Sequence, residues 1–196
     1  MAVHVNKRGV RVLGVAESFL KAEPRSALAG VVMRRDLRID GFGLAEITVG
    51  GDDATEGVLE IIEGLGRRDL NLLLLNGSVV SWFNVLDLDL LHQETDLPVI
   101  SLTYQESEGI EGYIRGYFSD PEEKIARYRR LGPRRAVRLK TGYEVYARSL
   151  GATAEETTGL LNSFTLEGRV PEPLRVARLL ARRLLRRGSG GGRRPP

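Results

Sequence analysis

Leu72-Leu73-Leu74-Leu75-Asn76-Gly77-Ser78-Val79-Val80-Ser81-Trp82-Phe83-Asn84 is the stretch from which the rest of the chain can be read. Its apolar run is short and ends in a turn signal, so it predicts a strand buried on both faces. Open α/β sheets place their sites in the crevice just past the carboxyl ends of such strands. An amide, Asn76, stands there, where a metal-dependent enzyme needs a carboxylate. The chain's only Trp, Trp82, and a second amide, Asn84, follow soon after.

Upstream, Val10–Val15 reads as a first strand, Ala27–Arg34 as a second and Phe42–Val49 as a third. Short loops, one of them with hairpin chemistry at Asp40-Gly41, make these three an antiparallel meander. Gly50-Gly51 stops the third strand. Asp53 then serves as N-cap of a helix to about Gly66, with Glu56 completing a capping box and Val58, Leu59, Ile61, Ile62 and Leu65 supplying the apolar stripe. Leu70–Leu75 is the fourth strand. Downstream, Val85–Glu94 reads as a helix, Pro98–Tyr104 as a fifth strand, and Ser107–Tyr117 and Pro121–Leu131 as helices. Ala136–Leu139 and Tyr143–Arg148 read as short strands at a sheet edge. Thr153 and Glu156 form a second capping box, opening a helix to Phe164. Pro171–Arg187 is a last amphipathic helix. This order predicts an α/β fold in which a three-strand antiparallel meander and parallel strands form one mixed sheet with helices on both faces, the ribonuclease-H-like strand order. Residues 1–188 are expected to form a single domain, and the Gly/Arg/Pro tail 189–196 to be disordered.

A chain of 196 residues with 42% apolar and 28% charged residues suits one soluble domain with a full core. No apolar run is long enough to span a bilayer, the first residues lack a secretory core, and no membrane partner is expected. The absence of Cys excludes disulfides, thiol catalysis and zinc-finger chemistry. A cytoplasmic location is the expectation. Two His without a neighbouring nucleophile give no catalytic triad, and Gly50-Gly51 lacks the Gly-Lys-Ser/Thr ending of a phosphate loop. The net charge of +3 is unevenly spread: from Arg169 onward nine arginines face one acid, Glu172.

Six pieces of the chain carry a family resemblance: Arg11-Val12-Leu13-Gly14-Val15, Gly50-Gly51-Asp52-Asp53-Ala54-Thr55, Leu75-Asn76-Gly77, Phe83-Asn84-Val85, Leu97-Pro98-Val99-Ile100 and Pro171-Glu172-Pro173-Leu174-Arg175-Val176-Ala177. Over roughly Gly9 to Ser189 the chain resembles an archaeal family of uncharacterised proteins, the domain of unknown function ninety-nine, which is related to endonuclease V. The resemblance implies a ribonuclease-H-like fold. For endonuclease V it implies acids at the end of the first strand, near the helix after the third, and at the end of the fourth. Such carboxylates converge on divalent cations that activate water and stabilise the leaving oxygen. The sequence departs from that pattern, with Ala16 at the first place and Asn76 at the third. Glu17 replaces the first acid only if the strand shifts by one residue, which turns the side chain to the other face.

Three readings stand side by side. In the first, Asp52, helped by Glu17 and Asp53, holds magnesium for a phosphodiesterase of the endonuclease type, with Asp52 and Glu17 as metal ligands. In the second, the scaffold binds DNA or RNA without catalysis. Asn76, Trp82 and Asn84 then form the cleft, and Arg175, Arg178 and Arg182 of the last helix track phosphates. In the third, the leucine stripe of that helix serves a protein partner or a second subunit, and the chain is a non-catalytic interaction or scaffold protein; the sequence leaves the oligomeric state open. The bland counterparts are a strand-ending turn at Asn76-Gly77, an N-cap at Asp53, loop packing at Trp82 and Phe83, and a solvated arginine face.

Overall fold

The computed structural model of the chain describes residues 9–188. The expected tail 189–196, with Arg193 and Arg194, lies outside them. Strands β1 (Arg11–Ser18), β2 (Arg25–Arg34) and β3 (Ile39–Thr48) form the meander, and α1 (Ala54–Leu65) leads to β4 (Leu72–Leu75). A two-strand hairpin, β5 (Val79–Val80) and β6 (Asn84–Val85), precedes α2 (Leu88–Thr95) and β7 (Val99–Thr103). Helices α3 (Glu111–Tyr117) and α4 (Glu122–Arg130), strands β8 (Arg135–Arg138) and β9 (Glu144–Leu150), and helices α5 (Ala154–Phe164) and α6 (Glu172–Gly188) complete the order. The main sheet runs β3-β2-β1-β4-β7-β9-β8. β4 lies parallel to β1 and β7 parallel to β4, while the other ladders are antiparallel. This is the mixed ribonuclease-H-like sheet that the sequence predicts.

The strand Leu72–Leu75 is buried on both faces, as its composition requires. Leu72 and Leu74 pack into one core layer, Leu73 and Leu75 into the other. Burying a leucine contributes about 1.5–3 kcal/mol, so four in one short strand anchor the centre of the sheet. The first layer holds Leu160, Leu161 and Phe164 of α5 with Leu174 and Ala177 of α6. The second holds Ala54, Val58 and Ile61 of α1 with Leu88 and Leu91 of α2. Gly14 lets α6 approach β1: a Cβ built there would lie 2.5 Å from Pro173 Cβ.

Three expectations are corrected. α1 starts after Asp53, but the Asp53 side chain makes no cap hydrogen bond, so the capping box with Glu56 does not form. Thr48 takes the carboxylate instead, its N–H donating at 2.9 Å and its hydroxyl at 2.7 Å. The helix expected from Val85 begins at Leu88, because Asn84 and Val85 pair with Val80 and Val79. The helix expected from Ser107 begins at Glu111. The second capping box is present at Thr153 and Glu156.

Candidate nucleic-acid cleft

β1 runs three residues beyond the apolar core read from the sequence, to Ser18, held by Ala16 opposite Ala29 and Glu17 opposite Leu28. Side chains alternate along it. Leu13 and Val15 belong to the layer under α1, and Val12 and Ala16 to the layer under α6. Glu17 therefore projects on the α1 side, and Asn76, two residues after Leu74, on the α6 side. The strand ends divide the site between two faces of the sheet.

On the α1 side lies a cleft of about 320 Å³ between the β5–β6 hairpin, the end of β7 and the β8–β9 hairpin. Glu17, Ser78, Trp82, Phe83, Arg134 and Arg148 are among its lining residues. The hairpin tip is strained: Ser81, Trp82 and Phe83 have φ of 41°, 62° and 65°. Non-glycine residues in that region each cost on the order of 1–3 kcal/mol, and such strain persists only where surrounding structure over-determines it. Here it is pinned from several sides. Ser81 Oγ lies 2.5 Å from Ser26 Oγ, and Gly50 N–H donates to Ser81 O at 2.7 Å. Ser78 Oγ lies 2.6 Å from Ser101 Oγ of β7.

Asn84, a candidate nucleic-acid contact, is fully buried. Its Oδ1 accepts from Ala54 N–H at 3.0 Å, giving α1 the cap that Asp53 withholds. Its Nδ2 donates to Thr48 O at 3.0 Å and to Asp53 Oδ1 at 2.7 Å. Asn84 is thus a tie between β3, α1 and the hairpin and does not reach the surface.

Trp82 sits at the rim of the cleft. Its ring meets Phe83 at 5.1 Å and Tyr117 at 4.8 Å between centroids, both edge-on, and Lys21 Nζ stands 3.9 Å over it. Phe83, read as loop packing, is half-buried and joins the same cluster against Phe118.

The three carboxylates proposed for magnesium are held apart by different partners. Glu17 accepts from Ser81 N–H and feels the charge of Arg178; burial nevertheless pushes its carboxyl above the ordinary range. Asp52 takes Lys124 Nζ at 2.7 Å and lies 3.6 Å from Arg127. For Asp53, desolvation pushes the carboxyl up. The Thr48 N–H, the Thr48 hydroxyl and the Asn84 amide outweigh it and hold the group below the usual range. Among the described residues no group of three or more His, Asp or Glu side chains could hold a metal ion. A divalent cation needs converging hard oxygens, and this donor set does not fit one.

On the α6 side, Tyr104 donates its hydroxyl to Asn76 Oδ1 at 3.0 Å, so the half-buried amide is engaged as an acceptor. Burial pushes the Tyr104 hydroxyl up, against the pull of Arg178 and Arg169, and keeps it protonated. Of the α6 arginines, Arg178 is near enough for its charge to act on Tyr104. Arg175 clamps Glu172 through Nη2 at 2.6 Å, and Arg182 is exposed. The apolar stripe offered for a partner packs on the chain's own sheet through Leu174, Ala177 and Ala181, which are fully buried, while Leu180, Leu184 and Leu185 are half-buried and Leu179 is exposed.

Sequence reasoning missed Arg134, Arg148, Tyr104 and Lys124. Arg148 reaches Ser78 Oγ at 3.3 Å across 70 residues of chain, and no local pattern marks such a pair.

Comparison with known proteins places this geometry. A family model described as Endonuclease dU matches residues 8–185. A UPF0215 protein of Pyrobaculum aerophilum is 35% identical over 170 residues, covering 86% of this chain and 91% of its own. A protein of unknown function from Archaeoglobus fulgidus superposes with a TM-score of 0.78 at 23% identity, over 90% of this chain and 98% of that one. Human ENDOV superposes at 0.65 and 18% identity, over 93% and 87%. Endonuclease V of Ciona intestinalis, in complex with a 24mer DNA containing an inosine followed by a ribo-adenosine, superposes at 0.59 and 14% identity, over 92% and 87%. At such identities the structural likeness shows the fold. No helix among the described residues is long and apolar enough to cross a membrane.

Proposed function

The chain belongs to the endonuclease dU family, and from that premise we propose that it binds nucleic-acid strands carrying a deaminated base. The family's description names dU, which we read as deoxyuridine, and the Ciona complex holds inosine; both are bases of that class. The observation that carries the reading is the pinned left-handed turn Ser81-Trp82-Phe83 at the rim of the cleft. It holds an aromatic ring beside a cavity, which is how single-stranded bases are stacked without reading their edges. Glu17 and the hydroxyls of the cleft then face the base, and Lys21, Arg178 and Arg182 supply sequence-independent attraction to phosphates.

Hydrolysis through divalent metal ions would require a carboxylate set that Ala16, Asn76 and the partnered Asp52 do not make. Binding is therefore the activity proposed, with Asp52 as an anchor for Lys124 and Asp53 as the link between β3 and the hairpin.

The test is electrophoretic mobility of single strands containing deoxyuridine, inosine or neither, at low and moderate salt, with and without magnesium. The expected result is salt-dependent binding that needs no magnesium and is tightest for the deaminated strands. Trp82→Ala should lose about 1–3 kcal/mol of affinity. Absence of binding at low salt would sink the proposal.

A further inference from the structure

Two arginines share the floor of the cleft, whose rim also carries Glu17, and among the described residues neither is ion-paired. Arg148 belongs to β9, and Arg134 directly precedes β8. Arg135 pairs with Ala147, so the two arginines stand across the same end of the β8–β9 hairpin, and both line the cleft. Their partners are neutral. Arg148 donates from Nε to Gly132 O at 2.9 Å and from Nη1 to Ser78 Oγ at 3.3 Å. Arg134 donates from Nη1 to Thr103 Oγ1 at 3.0 Å and Gln105 O at 3.1 Å, and from Nη2 to Ser107 O at 3.0 Å. Among the described residues neither guanidinium forms an ion pair. The ion pairs around the cleft use other cations, among them Lys124 on Asp52, Arg127 on Glu123 and Arg129 on Glu111.

Carbonyl and hydroxyl acceptors fix the planes of the two groups and leave their charge uncancelled. Burial disfavours the charge of Arg148, and Arg134 adds to that, with Tyr128 alone favouring it. Two like charges half-buried side by side are costly unless an anion joins them. A guanidinium carries five N–H donors, and the neutral partners use only part of them. The planar fork matches phosphate oxygens, and the hydroxyls of Ser78 and Thr103 lie at the same end of the cleft.

We propose that Arg134 and Arg148 form a phosphate-binding site, which in a bound strand takes the phosphodiester next to the base held at Trp82. The strand part rests on the function proposed above. The site differs from the α6 arginines, which lie on the other layer and are mostly solvated or paired with Glu172.

Inorganic phosphate titrated into the full chain, followed by calorimetry and by the emission of Trp82, tests the site. Saturable binding is expected, weakened about 10-fold or more in Arg134→Gln and in Arg148→Gln and unchanged in the surface control Arg38→Gln. In strand binding, each of the two variants should lower the slope of log affinity against log salt by about 0.7. Arg148→Gln removes two hydrogen bonds to the surrounding loops; if it fails to fold, Arg134→Gln, two of whose three bonds lie at the surface, decides alone. A folded Arg134→Gln that binds phosphate as the wild type does overturns the site. Phosphate binding that needs both arginines, with no strand binding, supports the site and overturns the proposed function. Strand binding with unchanged slopes does the reverse.

Discussion

At the scale of single residues, Glu17 shows how one register position decides chemistry. Its neighbour Ala16 is packed in the core under α6, and Glu17 itself is turned to the cleft with its proton held above the ordinary carboxylate range. The unfolded chain gives up that proton near the ordinary value of 4.5, the folded protein only at higher pH. Below both values the two states are equally protonated; as pH rises between them the unfolded state ionises first, and stability falls. Glu17→Gln is therefore expected to leave the thermal midpoint unchanged below the carboxylate range and to raise it at neutral pH. A midpoint difference that is independent of pH would refute the shift. Asn84 is the second decisive residue. Asn84→Ala strips the cap from Ala54 and leaves Asp53 and Thr48 short of a partner, so a loss of about 1–3 kcal/mol is expected from urea unfolding midpoints. The sequence marked Asn84 as a contact with nucleic acid because it follows Trp82 and Phe83. Its burial comes from the hairpin folding back onto α1, which no local pattern states.

Elements were legible to different degrees. The four-leucine strand, the meander and the capping box of α5 follow from composition and spacing, since each is stabilised by contacts within a few residues or by simple burial. Thr153→Ala should lower stability by about 1 kcal/mol, read from chemical unfolding, and leave strand binding untouched. The first capping box failed because Thr48, five residues back, competes for the Asp53 carboxylate with two donors at once. The β5–β6 hairpin escaped notice because its strands are two residues each and its turn carries no glycine. Tertiary bonds to Ser26 and Gly50 supply what the turn lacks in propensity.

At the scale of the whole molecule, the fold brings residues from β1, β7, β9, the β5–β6 hairpin and the segment before β8 to one cleft and leaves the acids dispersed. Magnesium titrated calorimetrically is expected to give no isotherm that Asp52→Asn alters. The same substitution should destabilise the protein, because it removes the carboxylate charge opposite the buried Lys124 ammonium and leaves it only neutral acceptors such as the Gly51 carbonyl. A one-site isotherm abolished by Asp52→Asn would instead establish a metal centre and reopen the catalytic reading.

By itself the sequence determined the mixed-sheet fold and its two-layer core, because burial periodicity and turn chemistry are local properties of a chain. It also determined the replacement of two expected acids by Ala16 and Asn76. Tertiary structure alone decided which face each side chain takes, which carboxylate meets which cation, and that Arg134 and Arg148 share a cleft. Those outcomes depend on register and on contacts across as many as 70 residues, where the pairing energy is set by geometry that no local spacing encodes.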